Sequence, residues 1–256
     1  MKNTTKYAVL THVFALLLVT GMVVHAKTIN FTEEERYEHG KELRKCSPYD
    51  GFDWTADPGT PYIVSTTTGG FVSTYRGKDQ YSNNARYKMP IEVGYKKPLT
   101  AHVDFRFWGL YVVERPVESG KRQTVIELNF GDIGSIYDRK IGVTLGTVEY
   151  GQDGKYHTQL RPSAGTPQAH ILPEKFGLTE EGNEWSDLMR LEIKAHVGED
   201  GMTPFTVTLT NLDTEEEVYS LNHSANLAGV DEVGLGIRAP HAGLIWGQLC
   251  RSTTFI

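Results

Sequence analysis

The stretch AHVDFRFWGL, residues 101–110, decides the fold. Val103, Phe105 and Phe107 alternate with His102, Asp104, Arg106 and Trp108. A period of two is that of a β-strand, whose successive side chains point to opposite faces. One face is therefore apolar and turned to a core, while the other carries an imidazole, a carboxylate, a guanidinium and an indole. A large aromatic ring is poorly placed in bare water, so Trp108 is expected beneath a loop or a ligand. An indole packs on the apolar face of a pyranose, and Asp104, Arg106 and His102 suit its hydroxyls. A structural Asp–Arg pair, with Trp108 under a loop, is the alternative reading.

The same texture runs along the chain. PYIVSTTTGGFVSTYRG, residues 61–77, is rich in β-branched residues and glycine, and candidate strands follow at 61–66, 70–76, 99–108, 122–130, 140–149, 155–161, 188–197, 204–211, 216–221, 232–238 and 243–249. Turn signals separate them: Glu118-Ser119-Gly120, Asp153-Gly154, Glu199-Asp200-Gly201 and Asn211-Leu212-Asp213. Many short strands without a helical period indicate an all-β chain, an antiparallel β-sandwich or β-jelly roll. Residues 162–187 read as a long loop with one helical turn at 173–176. No internal repeat or low-complexity tract interrupts the pattern, so 46–256 is expected as a single domain, with 27–45 as a charged leader, either one short helix or a loose segment.

Residues 1–26 have the grammar of a secretory signal peptide: Lys2 and Lys6, an apolar run from Val13 to Val24, and Val24 and Ala26 before the cleavage point. A retained membrane anchor is the competing reading, although the apolar run is short for a bilayer. Removing these 26 of 256 residues leaves 230, with 24 basic and 32 acidic side chains and a net charge of −8. That balance argues against nucleic acid as partner and against attachment to anionic membranes once the signal is removed. A secreted or periplasmic monomer is expected. In such a compartment Cys46 and Cys250 form a candidate disulfide that would tie the ends of the domain together. Asn30-Phe31-Thr32 and Asn222-His223-Ser224 are sequons that matter only in a host with an ER.

The run NEWSDLMRLEIKAHVGEDGMTPFTVTLTNLDTEEEVYSLNH, residues 183–223, resembles the tryptophan-led strand, turn and strand of concanavalin A-like (laminin G-like) jelly rolls. The glycine-bearing DEVGLGIRAPHAGLIWGQLCRSTTFI, residues 231–256, is similar to their closing strands. The resemblance implies a polysaccharide or oligosaccharide as ligand class, and leaves lectin, glycoside hydrolase and polysaccharide lyase open.

The residues themselves bear on that choice. Glu127 and Asn129 oppose Leu128 and Phe130, and His157, Gln159 and Arg161 oppose Thr158 and Leu160. If these strands share a sheet with 101–108, their polar sides make one glycan groove. The E-x-D-x-x-E run of jelly-roll glucanases is absent, which counts against the paired carboxyls of a hydrolase. A lyase instead neutralises a uronate carboxylate and then moves protons with a base and an acid. Arg106, Asn129 and Gln159 are candidate neutralisers, His157 or His102 the base, and Tyr150 or Tyr156 the acid. His102, Asp104, Trp108, Glu127 and Arg161 are candidate substrate contacts. Gln168-Ala169-His170 resembles the Q-[IV]-H motif of jelly-roll alginate lyases, without its companion motifs. A non-catalytic glycan-binding module remains the alternative. No cofactor is expected, although Asp50, Asp53 and Asp57 offer a structural calcium site.

Overall fold

The structure is a computed structural model that describes residues 27–56, 62–73, 84–113, 115–116, 123–150, 154–163, 170–240 and 242–246. The expected signal peptide lies outside them. Fourteen strands form two seven-stranded antiparallel sheets. The first sheet runs β12 (Glu216–Asn226), β11 (Met202–Asn211), β10 (Met189–His196), β5 (Pro98–Phe107), β14 (Ala242–Trp246), β3 (Gly70–Ser73) and β2 (Tyr62–Ser65). The second runs β1 (Trp54–Ala56), β4 (Asn84–Glu92), β13 (Glu232–Arg238), β7 (Gln123–Gly131), β8 (Ile141–Tyr150), β9 (Lys155–Pro162) and β6 (Arg115–Pro116). β13 is inserted between β4 and β7, and β14 between β5 and β3, so late strands close sheets begun by early ones. This is a jelly-roll sandwich, and it contains each of the expected strands. The helical turn forms at Pro173–Phe176, with Pro173 opening it and Gly177 ending it at φ 70°.

The core lies between the sheets, where the apolar positions meet. Val103, Phe105 and Phe107 of β5 face Leu128 and Phe130 of β7 and Leu160 of β9 within one buried cluster. β4 (Asn84–Glu92) has no counterpart among the expected strands, because Arg86, Lys88 and Pro90 break its apolar pattern. Pro90 falls in the irregular part of the β4–β13 ladder, between the pairs Ile91↔Val233 and Tyr87↔Leu235. A residue without an N–H is accommodated where the ladder is already interrupted.

Residues 27–45 pack onto the sandwich rather than trailing from it. Ile29, Phe31, Tyr37 and Leu43 are buried, and a 3-10 helix spans Leu43–Lys45. Phe31 packs tilted against Tyr37 at 4.8 Å and edge-on against Phe71 at 5.1 Å, and Trp54 Nε1 donates to the Tyr37 hydroxyl at 3.0 Å. Phe31 holds this place at φ 52°, a conformation unfavourable for a bulky side chain and sustained by its burial. Cys46 is a buried free thiol that donates to the Glu42 carbonyl at 3.6 Å, and its expected partner Cys250 lies outside the described residues. No helix among the described residues is long and apolar enough to cross a membrane.

Phe31→Ala should lower stability by about 3–5 kcal/mol, the usual effect of emptying an aromatic core site. A thermal melt unchanged by this substitution would show that the segment is not part of the cooperative core.

Candidate functional site

The expected groove does not assemble from three strands. β5 belongs to the first sheet, whereas β7 and β9 belong to the second with β8 between them. His102, Asp104 and Arg106 therefore lie on the opposite outer surface from Glu127, Asn129, His157, Gln159 and Arg161. The alternation of a strand fixes which side meets the core, not which layer the strand joins.

On the first sheet the polar row of β5 is matched by its neighbour β10, with Arg190 opposite Asp104 and Glu192 opposite His102. Arg190 grips Asp104 through both carboxylate oxygens, Nε donating at 2.7 Å and Nη2 at 2.8 Å. Arg106 turns instead to the Ser186 carbonyl at 2.9 Å and to Asp213 at 3.0 Å. Asp104 and Arg106 thus serve two structural contacts, and Arg106 is not a uronate neutraliser beside Asn129. His102 is buried, and its Nε2 has no hydrogen-bond partner among the described residues. Burial, reinforced by the Arg190 charge, pushes its pKa down. Trp108 leaves the sheet altogether and pairs with Trp185 in an isolated antiparallel bridge.

The outer face of the second sheet divides in two. Its β4–β13–β7 part is closed by Arg86, only 1% exposed. Gly234 and Gly236 of β13 leave room for the guanidinium: a Cβ on Gly236 would meet Asn129 Oδ1 and come within 2.9 Å of Arg86 Cζ. Arg86 donates to the carbonyls of Ser135 at 2.8 Å, Gly234 at 2.7 Å and Asp138 at 2.7 Å, and to Asn129 Oδ1 at 2.8 Å. These bonds hold loop 132–140 against the sheet. Asn129 Nδ2 donates to Glu127 Oε1 at 3.0 Å, so both ends of this amide are engaged. Arg139 of the same loop reaches Glu127 at 2.7 Å, and Arg238 stands 3.9 Å from its other oxygen. Burial pushes the Glu127 carboxyl up, while Arg139 and Arg238 draw it back down. Asn129 and Glu127 are therefore parts of a closed network rather than open substrate contacts.

The β8–β9 part differs. Gln159 is 1% exposed, yet neither its Oε1 nor its Nε2 finds a hydrogen-bond partner among the described residues. Its cross-strand neighbour on β8 is Gly146, which places no side chain beside it. On the same strand face His157 packs edge to face against His170, with ring centroids 4.3 Å apart, and Arg161 is exposed. A buried primary amide with no partner loses its hydration without compensation, an arrangement that a polar ligand group or water relieves. Tyr150 ends β8 opposite Lys155, and Tyr156 lies on β9 opposite Glu149. Arg86, Arg139 and Arg238 were not expected at this face. The signal that marks them is the Gly-x-Gly of β13, two glycines on one strand face where a bulky group approaches the backbone.

Only part of the expected calcium trio falls within the described residues. Asp50 is taken by the Lys27 ammonium at 3.0 Å and by the Tyr87 hydroxyl, and Asp57 lies outside the described residues. No group of three or more metal-binding side chains occurs among the described residues. Two clefts lie away from the β8–β9 face: one of about 630 Å³ is lined by Glu33, Arg36 and His39 among others, and one of about 420 Å³ by Leu172, Pro173, Glu174 and Glu180.

No family model matches this sequence, and no curated protein matches it. Solved structures similar to it include peanut lectin with a bound peptide, at 10% identity over 91% of this chain and 100% of that one, TM-score 0.43. The exoplasmic/lumenal domain of VIP36 in its Ca2+/Man-bound form is similar at 11% identity over 91% and 93% of the two chains, TM-score 0.47. The exolytic PL7 alginate lyase AlyA5 from Zobellia galactanivorans is similar at 10% identity over 90% and 87%, TM-score 0.32. The architecture rests on the sheet order given above, and these likenesses assign no ligand and no residue role.

His102 supplies a pH test of this geometry. Its folded pKa lies below the ordinary value of about 6.5, so the unfolded chain binds the extra proton as pH falls. The stability that depends on a neutral His102 is therefore fully present above about pH 6.5 and lost progressively below it. His102→Gln should flatten that part of the stability–pH curve, measured by urea unfolding from pH 7.5 to 5. An unaltered slope would contradict the buried neutral imidazole.

Proposed function

We propose that the protein is an exported carbohydrate-active jelly roll that takes a uronate-containing polysaccharide on the β8–β9 half of its second sheet and cleaves it by β-elimination. The observation that supports this reading most is the unpartnered amide of Gln159. A uronate carboxylate accepts from Gln159 Nε2 and lies near the exposed Arg161, which supplies positive charge locally on an acidic protein. Neutralising that carboxylate makes the α-proton acidic. His157, two residues away on the same strand face, is assigned as the base that removes it. The electron pair forms the new carbon–carbon double bond as the glycosidic C–O bond breaks, and the departing oxygen takes a proton from an acid. Tyr150, on the strand paired with β9, is assigned that role. Arg106, His102, Asp104 and Asn129 have no part in this chemistry.

The test is incubation of the purified protein with alginate, glucuronan and ulvan, following the ultraviolet absorbance of the unsaturated uronate product. Turnover on one of these polymers, falling about 100-fold or more in Gln159→Ala, is the expected result. Binding without turnover would replace the lyase with a non-catalytic glycan-binding module. Activity unchanged in Gln159→Ala would remove the proposed site.

A further inference from the structure

Trp185 is 47% exposed, and it sits on loop backbone that is hydrogen-bonded on both sides of it. Residues 184–186 run antiparallel to the end of β5, with Gly109 N donating to the Glu184 carbonyl at 2.8 Å and Ser186 N to the Phe107 carbonyl at 2.9 Å. The buried Ser186 accepts from Phe107 N through its hydroxyl at 3.1 Å, and its carbonyl accepts from Arg106 at 2.9 Å. Glycine is required on both sides of this contact. A Cβ on Gly109 would stand 2.7 Å from the Gly182 carbonyl oxygen, and Gly182 itself has φ 63°. The turn is closed again where Thr179 N donates to the Glu184 carboxylate. Trp108 then meets Trp185 edge to face, centroids 5.6 Å apart at 84°, which fixes the orientation of the exposed indole.

A large apolar ring left in water on a flexible loop would be unremarkable, since it would collapse onto its neighbours. Here a network of backbone bonds presents it. We propose that Trp185, steadied by Trp108, is a saccharide-stacking subsite separate from Gln159, and that its ligand is a neutral pyranose. Two observations select that occupant. Trp185 and Leu110, 47% and 37% exposed, and the half-buried Trp108 are the large apolar groups on this turn and the end of β5, a surface suited to a sugar ring rather than to the roughly 1,000 Å² contact of a protein partner. The turn also carries exposed Glu180, Glu181 and Asn183, which suit hydroxyl donors and repel a carboxylated sugar. Glu180 further forms one wall of the cleft of about 420 Å³, a recess of the size that small ligands occupy.

The test uses the full protein, with neutral cellohexaose, laminarihexaose and mannohexaose as probes and an alginate hexamer as the charged comparison. Oxidation of each tryptophan by N-bromosuccinimide is followed by peptide mass spectrometry. At least one neutral hexasaccharide should slow Trp185 oxidation about fivefold or more, and Trp185→Ala should weaken its binding about tenfold, with Trp185→Phe retaining part of it. The same protection should persist in Gln159→Ala, so this subsite and the uronate site stand or fall separately. Equal oxidation of Trp185 with every probe, or protection by alginate alone that vanishes in Gln159→Ala, would overturn the proposal.

Discussion

A guanidinium taken out of water must find an acceptor for each N–H it carries, because an unpaired buried charge costs several kcal/mol. Arg86 engages four of its five N–H groups with four oxygens drawn from three separate parts of the chain: Asn129 on β7, Gly234 on β13, and Ser135 and Asp138 in loop 132–140. The loop is thereby laid over the sheet, and its Arg139 is brought to Glu127. The network consumes the polar groups of β7 and leaves those of β9 outside it. The Asn129 amide is bonded at both ends and the Gln159 amide at neither, and that contrast is what makes Gln159 informative. In an outer face where every amide lacked a partner, one more would distinguish nothing.

Local sequence carried the fold further than it carried the site. The alternation in 101–107 correctly separates Val103, Phe105 and Phe107 from His102, Asp104 and Arg106, and the same holds for Leu128 against Glu127 and Asn129. Each such reading is a statement about a single strand. Whether two strands lie side by side depends on crossovers among residues far apart, and no period in the sequence records it. The partner of Asp104 illustrates the point: it is Arg190, 86 residues away and directly across the ladder, rather than Arg106 on the same strand face. β4 escaped notice for a related reason, since its Arg86 and Pro90 look foreign to an interior strand until the glycines of β13 and the ladder irregularity are known.

The two surfaces argued to meet ligand are built by different means. Gln159 and His157 stand on a β-strand whose register is fixed by β8, so their spacing is set by the sheet. Trp185 stands on a turn made nearly as rigid by backbone bonds to β5 and by a glycine on each side of the contact. His170 and Trp185 both lie on the connection that leads from β9 into β10. Ile171 N bonds the Thr158 carbonyl at one end of it, and Ser186 N bonds Phe107 at the other. Sites placed by backbone geometry lose little conformational entropy on binding, which is where preorganisation raises affinity.

The most direct measurement is side-chain amide NMR of the full protein during titration with a uronate hexasaccharide. The Gln159 NH₂ resonances should move and gain protection from exchange, while those of Asn129 and the Arg86 Nε–H stay where they were. Movement at Asn129 and Arg86 with a silent Gln159 would mean that the bonded and unbonded amides of the face have been assigned the wrong roles.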